Sequence, residues 1–104
     1  MPTYMIVYAK ITDRDKFLRG YAPAAAKLVA RFGGKYVIRA PAAAVLEGDL
    51  DTGMSVVISE WPDKATVLEF WNSPEYREAK KLREGVAECQ VTIVTSPPGK
   101  SADE

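Results

Sequence analysis

Tyr4-Met5-Ile6-Val7-Tyr8-Ala9-Lys10-Ile11 is the stretch on which the fold turns. Side chains alternate across a strand, so Met5, Val7, Ala9 and Ile11 point one way and Tyr4, Ile6 and Tyr8 the other. A strand apolar on both sides belongs to a sheet that must be covered on both faces. The remaining chain supplies helices for only one of them. The second cover has to come from another copy or a partner, so the expectation is a dimer with a pocket beside the sheet.

Outward from this strand, Thr12 or Asp13 can cap a helix, with Asp15 well placed in its first turn. Phe17, Tyr21, Leu28 and Phe32 fall on a helical stripe, and Gly20-Tyr21-Ala22-Pro23 marks a kink or a restart. Gly33-Gly34 stops the helix. Lys35–Ala40 reads as a short second strand, with Tyr36, Ile38 and Ala40 opposite Lys35, Val37 and Arg39. Pro41–Asp51 reads as a loop or bulge segment, and Met54–Trp61 as a third strand with Met54, Val56 and Ile58 toward the core. Pro62-Asp63 opens a helix carrying Val67, Leu68, Phe70 and Trp71. Ser73-Pro74-Glu75 opens another, with Tyr76, Ala79, Leu82, Arg83 and Val86 at helical spacing. Cys89–Thr95 is the last strand.

The order is βαββαβ. Short connections and right-handed crossovers make this an α+β, ferredoxin-like arrangement, a four-stranded antiparallel sheet with helices on one face. Residues 1–96 are expected to form one domain and 97–104, which begin Pro97-Pro98-Gly99, a disordered tail.

Composition narrows the function. Of the 104 residues, 47% are hydrophobic and 27% charged, the balance of a soluble globular protein. Formal net charge is zero, from 14 Lys+Arg and 14 Asp+Glu, so neither nucleic acid nor a membrane surface is an expected partner. Met1-Pro2-Thr3-Tyr4 lacks a charged segment followed by an apolar one, which makes the cytoplasm the expected location. The single cysteine, Cys89, reads as a small buried hydrophobe in the last strand. The chain has no histidine. That removes the usual general base near neutral pH, zinc sites built from Cys and His, and His-ligated haem. No cofactor and no metal are expected. Any catalysis must use carboxylates, Tyr, Lys or Arg, or the substrate's own reactivity.

Several short motifs fall into a recognisable order: Tyr21 before the kink, Phe32-Gly33-Gly34-Lys35-Tyr36 with Arg39, and Leu46-Glu47-Gly48. Ile58-Ser59-Glu60-Trp61-Pro62, Ser73-Pro74-Glu75-Tyr76 and Leu82-Arg83 follow. From about Tyr4 to Val94 the chain resembles an uncharacterised bacterial family, domain of unknown function thirteen-thirty, of the dimeric α+β barrel superfamily. The resemblance implies a homodimer in which two sheets face each other as a barrel, with helices outside. It implies no activity. Superfamily relatives include cofactor-independent monooxygenases, lactone isomerases and haem-dependent enzymes, and the lack of histidine counts against the last branch. Trp61 stands where the family usually has Phe.

The candidate catalytic residues are Glu60 and Arg39. Glu60 continues the face of Met54, Val56 and Ile58, where partial burial would suit it to general acid or base work. The alternative is a strand-end glutamate in water or paired with an arginine. Arg39 could clamp a substrate carboxylate or pair with Glu60 or Glu47. Candidate substrate-binding residues are Tyr21, Glu47, Trp61, Tyr76 and Arg83. The aromatic side chains offer walls with a polar handle, and an inward arginine needs an acceptor. Each also has a purely structural reading, as core, turn or ion pair. Two functions follow. One is a dimeric small-molecule protein, a cofactor-independent enzyme moving a proton or isomerising a small carbonyl or carboxylate compound. The other is a non-catalytic ligand-binding or interaction module with the barrel packed solid.

Overall fold

The computed structural model describes residues 2–51 and 53–96; the tail expected over 97–104 lies outside the described residues. The opening strand, β1 (Thr3–Ile11), runs down the middle of a four-stranded antiparallel sheet. Its neighbours are β3 (Ser55–Trp61) and β4 (Ala87–Thr95), and β2 (Lys35–Pro41) forms the edge beyond β3, giving the order β2-β3-β1-β4. This is the ferredoxin-like α+β arrangement.

Asp13 caps the first helical turn, α1 (Arg14–Lys16), by accepting the Lys16 N–H at 3.1 Å. The expected kink is a π-helical turn over Phe17–Tyr21, in which the Ala22 N–H reaches back to the Phe17 carbonyl. The chain then continues without a break into α2 (Ala22–Arg31), with Pro23, which has no N–H to donate, directly after the π-helical turn. Gly33 closes α2 at φ +99°, with Gly34 N–H bonded to the Val29 carbonyl at 2.8 Å and Gly33 N–H to Ala30 at 3.2 Å. Gly34 has a separate constraint. A Cβ on it would lie 2.6 Å from the Trp61 indole, so the backbone passes directly over that ring.

Asp63 caps α3 (Lys64–Trp71) through the Thr66 N–H at 2.8 Å and the Thr66 hydroxyl at 2.7 Å. Ser73 caps α4 (Pro74–Lys80): it accepts from Tyr76 N–H and donates to the Phe70 carbonyl at 2.8 Å, joining the two helices. A 3-10 turn over Lys81–Arg83 leads toward β4.

The helices cover one face of the sheet. Met5, Val29, Trp61, Val67, Phe70, Tyr76 and Ala79 form the buried core between the two layers. Phe70 is its hub, with ring centroids 5.0 Å from Trp61, 4.5 Å from Tyr76 and 5.9 Å from Phe32. β1 divides as expected: Met5 and Ala9 are buried under the helices, and Tyr4, Ile6 and Tyr8 face the other way. β3 has the opposite phase from the expected one. Ser59 and Trp61 are buried on the helix side with Val57, while Val56, Ile58 and Glu60 pair across from Tyr8, Ile6 and Tyr4 on the open side. The cause is that both faces of β3 are apolar, so alternation alone carries no inside. A bulge between Tyr36 and Ile38 in β2 shifts the pairing by one residue and puts Arg39, opposite Val57, on the helix side with Tyr36.

The shortest dimension of the molecule is 16 Å, the thickness of one sheet and one layer of helices. Among the described residues nothing covers the other face, where Ile38 and Val94 are nearly half exposed. Among the described residues no helix is long and apolar enough to cross a membrane.

Candidate functional site

Between the sheet and the helices lies a cavity of about 90 Å³. One water needs roughly 10–15 Å³ measured in this way, so the space holds several waters or a small organic molecule. It runs across the whole sheet. Tyr36 and Arg39 of β2 line one end, Val57 and Ser59 of β3 and Val7 and Ala9 of β1 the floor, and Cys89 and Val91 of β4 the other end. Phe17, Tyr21, Ala25, Phe70, Trp71 and Tyr76 form the roof.

The polar centre of this apolar space is a pair of tyrosines. The hydroxyls of Tyr21 and Tyr76 are 2.7 Å apart, and their rings meet edge to face at 6.5 Å. The π-helical turn ends on Tyr21 and the Ser73 cap fixes the first turn that carries Tyr76, so backbone devices aim both rings. Burial raises both hydroxyls above the ordinary tyrosine value of 10.0, so both are protonated at neutral pH. The pair is not symmetric. The shared hydrogen bond raises Tyr21 further and pulls against burial for Tyr76, while the Arg83 charge opposes burial in both. The hydrogen bond between them can run in either direction, and either way one hydroxyl proton is left for a ligand.

Arg83, at the end of the 3-10 turn, holds its guanidinium 5.5 Å from the Tyr21 ring centre, a cation–π contact. It also opposes the burial that raises the Cys89 thiol. At the other end Arg39 stacks on Tyr36 at 4.5 Å, and burial raises the Tyr36 hydroxyl. Neither arginine has a carboxylate within ion-pair distance among the described residues, and no carboxylate lines the cavity. The Ser59 hydroxyl forms part of the floor and accepts from Trp61 Nε1 at 2.8 Å, so its own proton remains for another acceptor.

The structure thus brings together Tyr21, Tyr76, Arg83 and Arg39 of the residues expected from sequence. It does not bring the others to them. Glu60 lies on the opposite face of the sheet, bordering a shallow surface groove with Lys35 and Pro2. Trp61 is sealed in the core against Phe70. Glu47 is exposed in the segment after β2. The ion pairs foreseen for Arg39 with Glu60 or Glu47 do not form. Sequence reasoning missed Ser59, Tyr36, Trp71 and Cys89 as wall residues. Ser59 had one readable signal, a small hydroxyl in phase with Trp61 in an otherwise apolar strand.

A four-stranded antiparallel sheet with helices on one face and a lined hollow beneath them defines a class, the ferredoxin-like α+β proteins. Within it, the chain belongs to the family described as domain of unknown function DUF1330, whose model matches residues 2–97. No curated protein matches it in sequence. Its fold is similar to that of a Rhodopseudomonas palustris protein of unknown function, with 22% identity, a TM-score of 0.75, and 92% of this chain and 84% of that one covered. It is also similar to that of SnoaB, a cofactor-independent oxygenase from Streptomyces nogalater, at 14% identity and a TM-score of 0.67, covering 99% and 98%. A hypothetical protein from Arabidopsis thaliana shares the fold at 14% identity and a TM-score of 0.63, covering 96% and 92%.

Proposed function

We propose that this chain, as a single domain over 1–96, works as a homodimer that takes a small molecule into the cavity beneath its helices. There it transfers a proton to a carbonyl or enolate oxygen without a cofactor. The observation that carries this is the Tyr21–Tyr76 hydroxyl pair at 2.7 Å inside an apolar space. In such a pair Tyr21 donates to Tyr76 and Tyr76 donates to the ligand oxygen while a cavity water takes the carbon-bound proton, and Arg83 steadies the negative charge developing on that oxygen. Glu60 has no part in this chemistry, because the sheet separates it from the cavity. Ser59 is a second donor, aimed from the floor. SnoaB supports the reading only in that a cofactor-independent oxygenase has this fold.

The dimer reading rests on the open face of Tyr4, Ile6, Tyr8, Ile38, Val56 and Ile58. A standard interface buries on the order of 1,600 Å² in total, the scale of one such face on each copy.

The test is exchange of the carbon-bound protons of 1,3-dicarbonyl and aryl-ketone compounds in deuterated water, followed by NMR. The wild type should accelerate exchange for at least one of them, and Tyr76→Phe should lower that rate by about 100-fold or more. An unchanged rate in Tyr76→Phe overturns the assignment. One observation favours the non-catalytic reading instead: the cavity wall contains no carboxylate to remove a proton. Binding of these compounds with no exchange in wild type would decide for that module.

A further inference from the structure

We infer that the ligand of this cavity is an apolar organic acid whose carboxylate is held by Arg83 at the β4 edge, with its body lodged under the helices. The inference rests on the cavity reading above and adds which molecules fill it and from which side they arrive.

Arg83 and Cys89 are wall residues of two spaces at once. They line the inner cavity, and they also line an outer groove with Arg77, Lys80, Lys81, Glu84 and Ala87. Arg83 is therefore the partition between a basic surface groove and an apolar interior. In the groove, Lys81 is paired with Glu78 at 3.1 Å and Lys80 rests 4.6 Å from the Trp71 ring centre. Arg77 and Arg83 have no carboxylate within ion-pair distance among the described residues. A groove lined with cations raises the local concentration of anions and draws them toward its floor.

Arg83 is the group that gains most from such an anion. It is partly withdrawn from water, and the Tyr21 ring beneath it does not replace a carboxylate. A guanidinium in that position carries a desolvation cost that a bidentate carboxylate offsets. Arg39, at the opposite end, is exposed and already solvated, so pairing gains it little. The charge number also matters. One guanidinium at the β4 end of a mostly apolar interior, with Arg39 at the far end, fits a singly charged carboxylate better than a phosphate dianion or a polyanion. From Arg83 the body of the ligand lies against Tyr21 and Tyr76, which places a second oxygen within reach of the Tyr76 hydroxyl.

The experiment compares 3-phenylpropanoate and 2-naphthoate with their uncharged amides, using calorimetry at low ionic strength. Backbone NMR signals of Ala9, Ala25 and Val91 report whether the cavity is filled. At least one acid should bind about tenfold more tightly than its amide, with shifts at those residues. Arg83→Gln should bring the acid down to the affinity of the amide, and Arg83→Lys should keep part of the preference. Arg77→Gln should weaken the acid about twofold, an effect that disappears on adding salt. Equal binding of acid and amide inside the cavity overturns the inference and leaves the small-molecule pocket standing. A preference erased by Arg39→Gln but not by Arg83→Gln also overturns it. Tighter binding of a short oligonucleotide, lost in Arg77→Gln, would make the groove a polyanion site and likewise sink it. Cavity signals unmoved by every compound would end both this inference and the pocket reading. Should Arg83→Gln fail to fold, the acid-to-amide ratio in wild type and Arg83→Lys decides.

Discussion

The two faces of the sheet are made of similar residues and end in opposite conditions. Under the helices Met5, Ala9 and Trp61 keep 6% or less of their surface, and the side chains interlock around Phe70. On the other side Ile6, Tyr8 and Ile58 stand on the same strands, one residue out of phase, with nothing above them among the described residues. Neither propensity nor hydrophobicity separates the two sets. Topology does: both crossovers of a βαββαβ chain pass over one face. The covered face also contains the hollow, because helices of unequal length and a widened turn do not fill it, while the open face is a flat apolar surface. One face is suited to a small ligand and the other to a flat partner.

The largest test of that contrast is core truncation. Phe70→Ala should cost about 3–5 kcal/mol of stability in denaturant unfolding, independent of protein concentration. Ile58→Ala should act through association, with a cost that shrinks as the protein is diluted. Equal, concentration-independent costs would mean that the faces do not differ in what covers them. Next in size, Ile6→Lys combined with Ile58→Lys should halve the mass seen by sedimentation while the circular dichroism spectrum is retained. A wild type already monomeric at micromolar concentration would remove the second-copy reading.

A smaller effect belongs to the tyrosine pair. Burial raises both hydroxyls above their ordinary value of 10.0, so the fold holds the protons that an unfolded chain releases. The contribution is whole below about pH 10 and is lost as pH rises from there through the raised folded values. Tyr21→Phe with Tyr76→Phe should lose about 1 kcal/mol at neutral pH, the scale of one hydrogen bond. The same variant should melt less steeply with rising alkalinity than wild type, and a parallel decline would show that the pair is not responsible. Smallest is the α3 cap. The bonds from Thr66 hold the Asp63 carboxyl below its ordinary value of 3.8, so its stabilisation is present above that pH and fades as acid protonates it. Asp63→Ala should melt slightly lower than wild type at neutral pH, and the two curves should converge in acid.

Much of this contrast could be read from β1, where Tyr4, Ile6 and Tyr8 alternate with Met5, Val7 and Ala9, and from caps such as Ser73-Pro74. The site was less legible, for two physical reasons. In β3, Val56 and Ile58 are as apolar as Val57, so the inner phase is set by Trp61, a side chain too large to be left outside. Glu60 followed the wrong phase and ends on the open face. In β2 the bulge at Val37 adds one residue to an alternating pattern, and nothing in Lys35–Ala40 announces it. That extra residue is what turns Arg39 toward the cavity. Tyr21, Tyr76 and Arg83 were foreseen as individuals, but their meeting depends on the crossing of α2 and α4, which strand and helix periodicity do not specify.

The passage of Gly34 over the Trp61 indole has a historical meaning. A Cβ at residue 34 would fall 2.6 Å from that ring, and the ring has no room to retreat in a core it fills. With Trp61 in place glycine at residue 34 is obligatory, so changes at the two positions must come in a fixed order. Residue 61 has to shrink before residue 34 can grow, and residue 34 has to shrink before residue 61 can grow back, so each position gates the other in descent. A chain with Trp and Ala together should be missing from the lineage, a pattern that Gly34→Ala built into both the Trp61 and the Trp61→Phe backgrounds can reproduce in the laboratory.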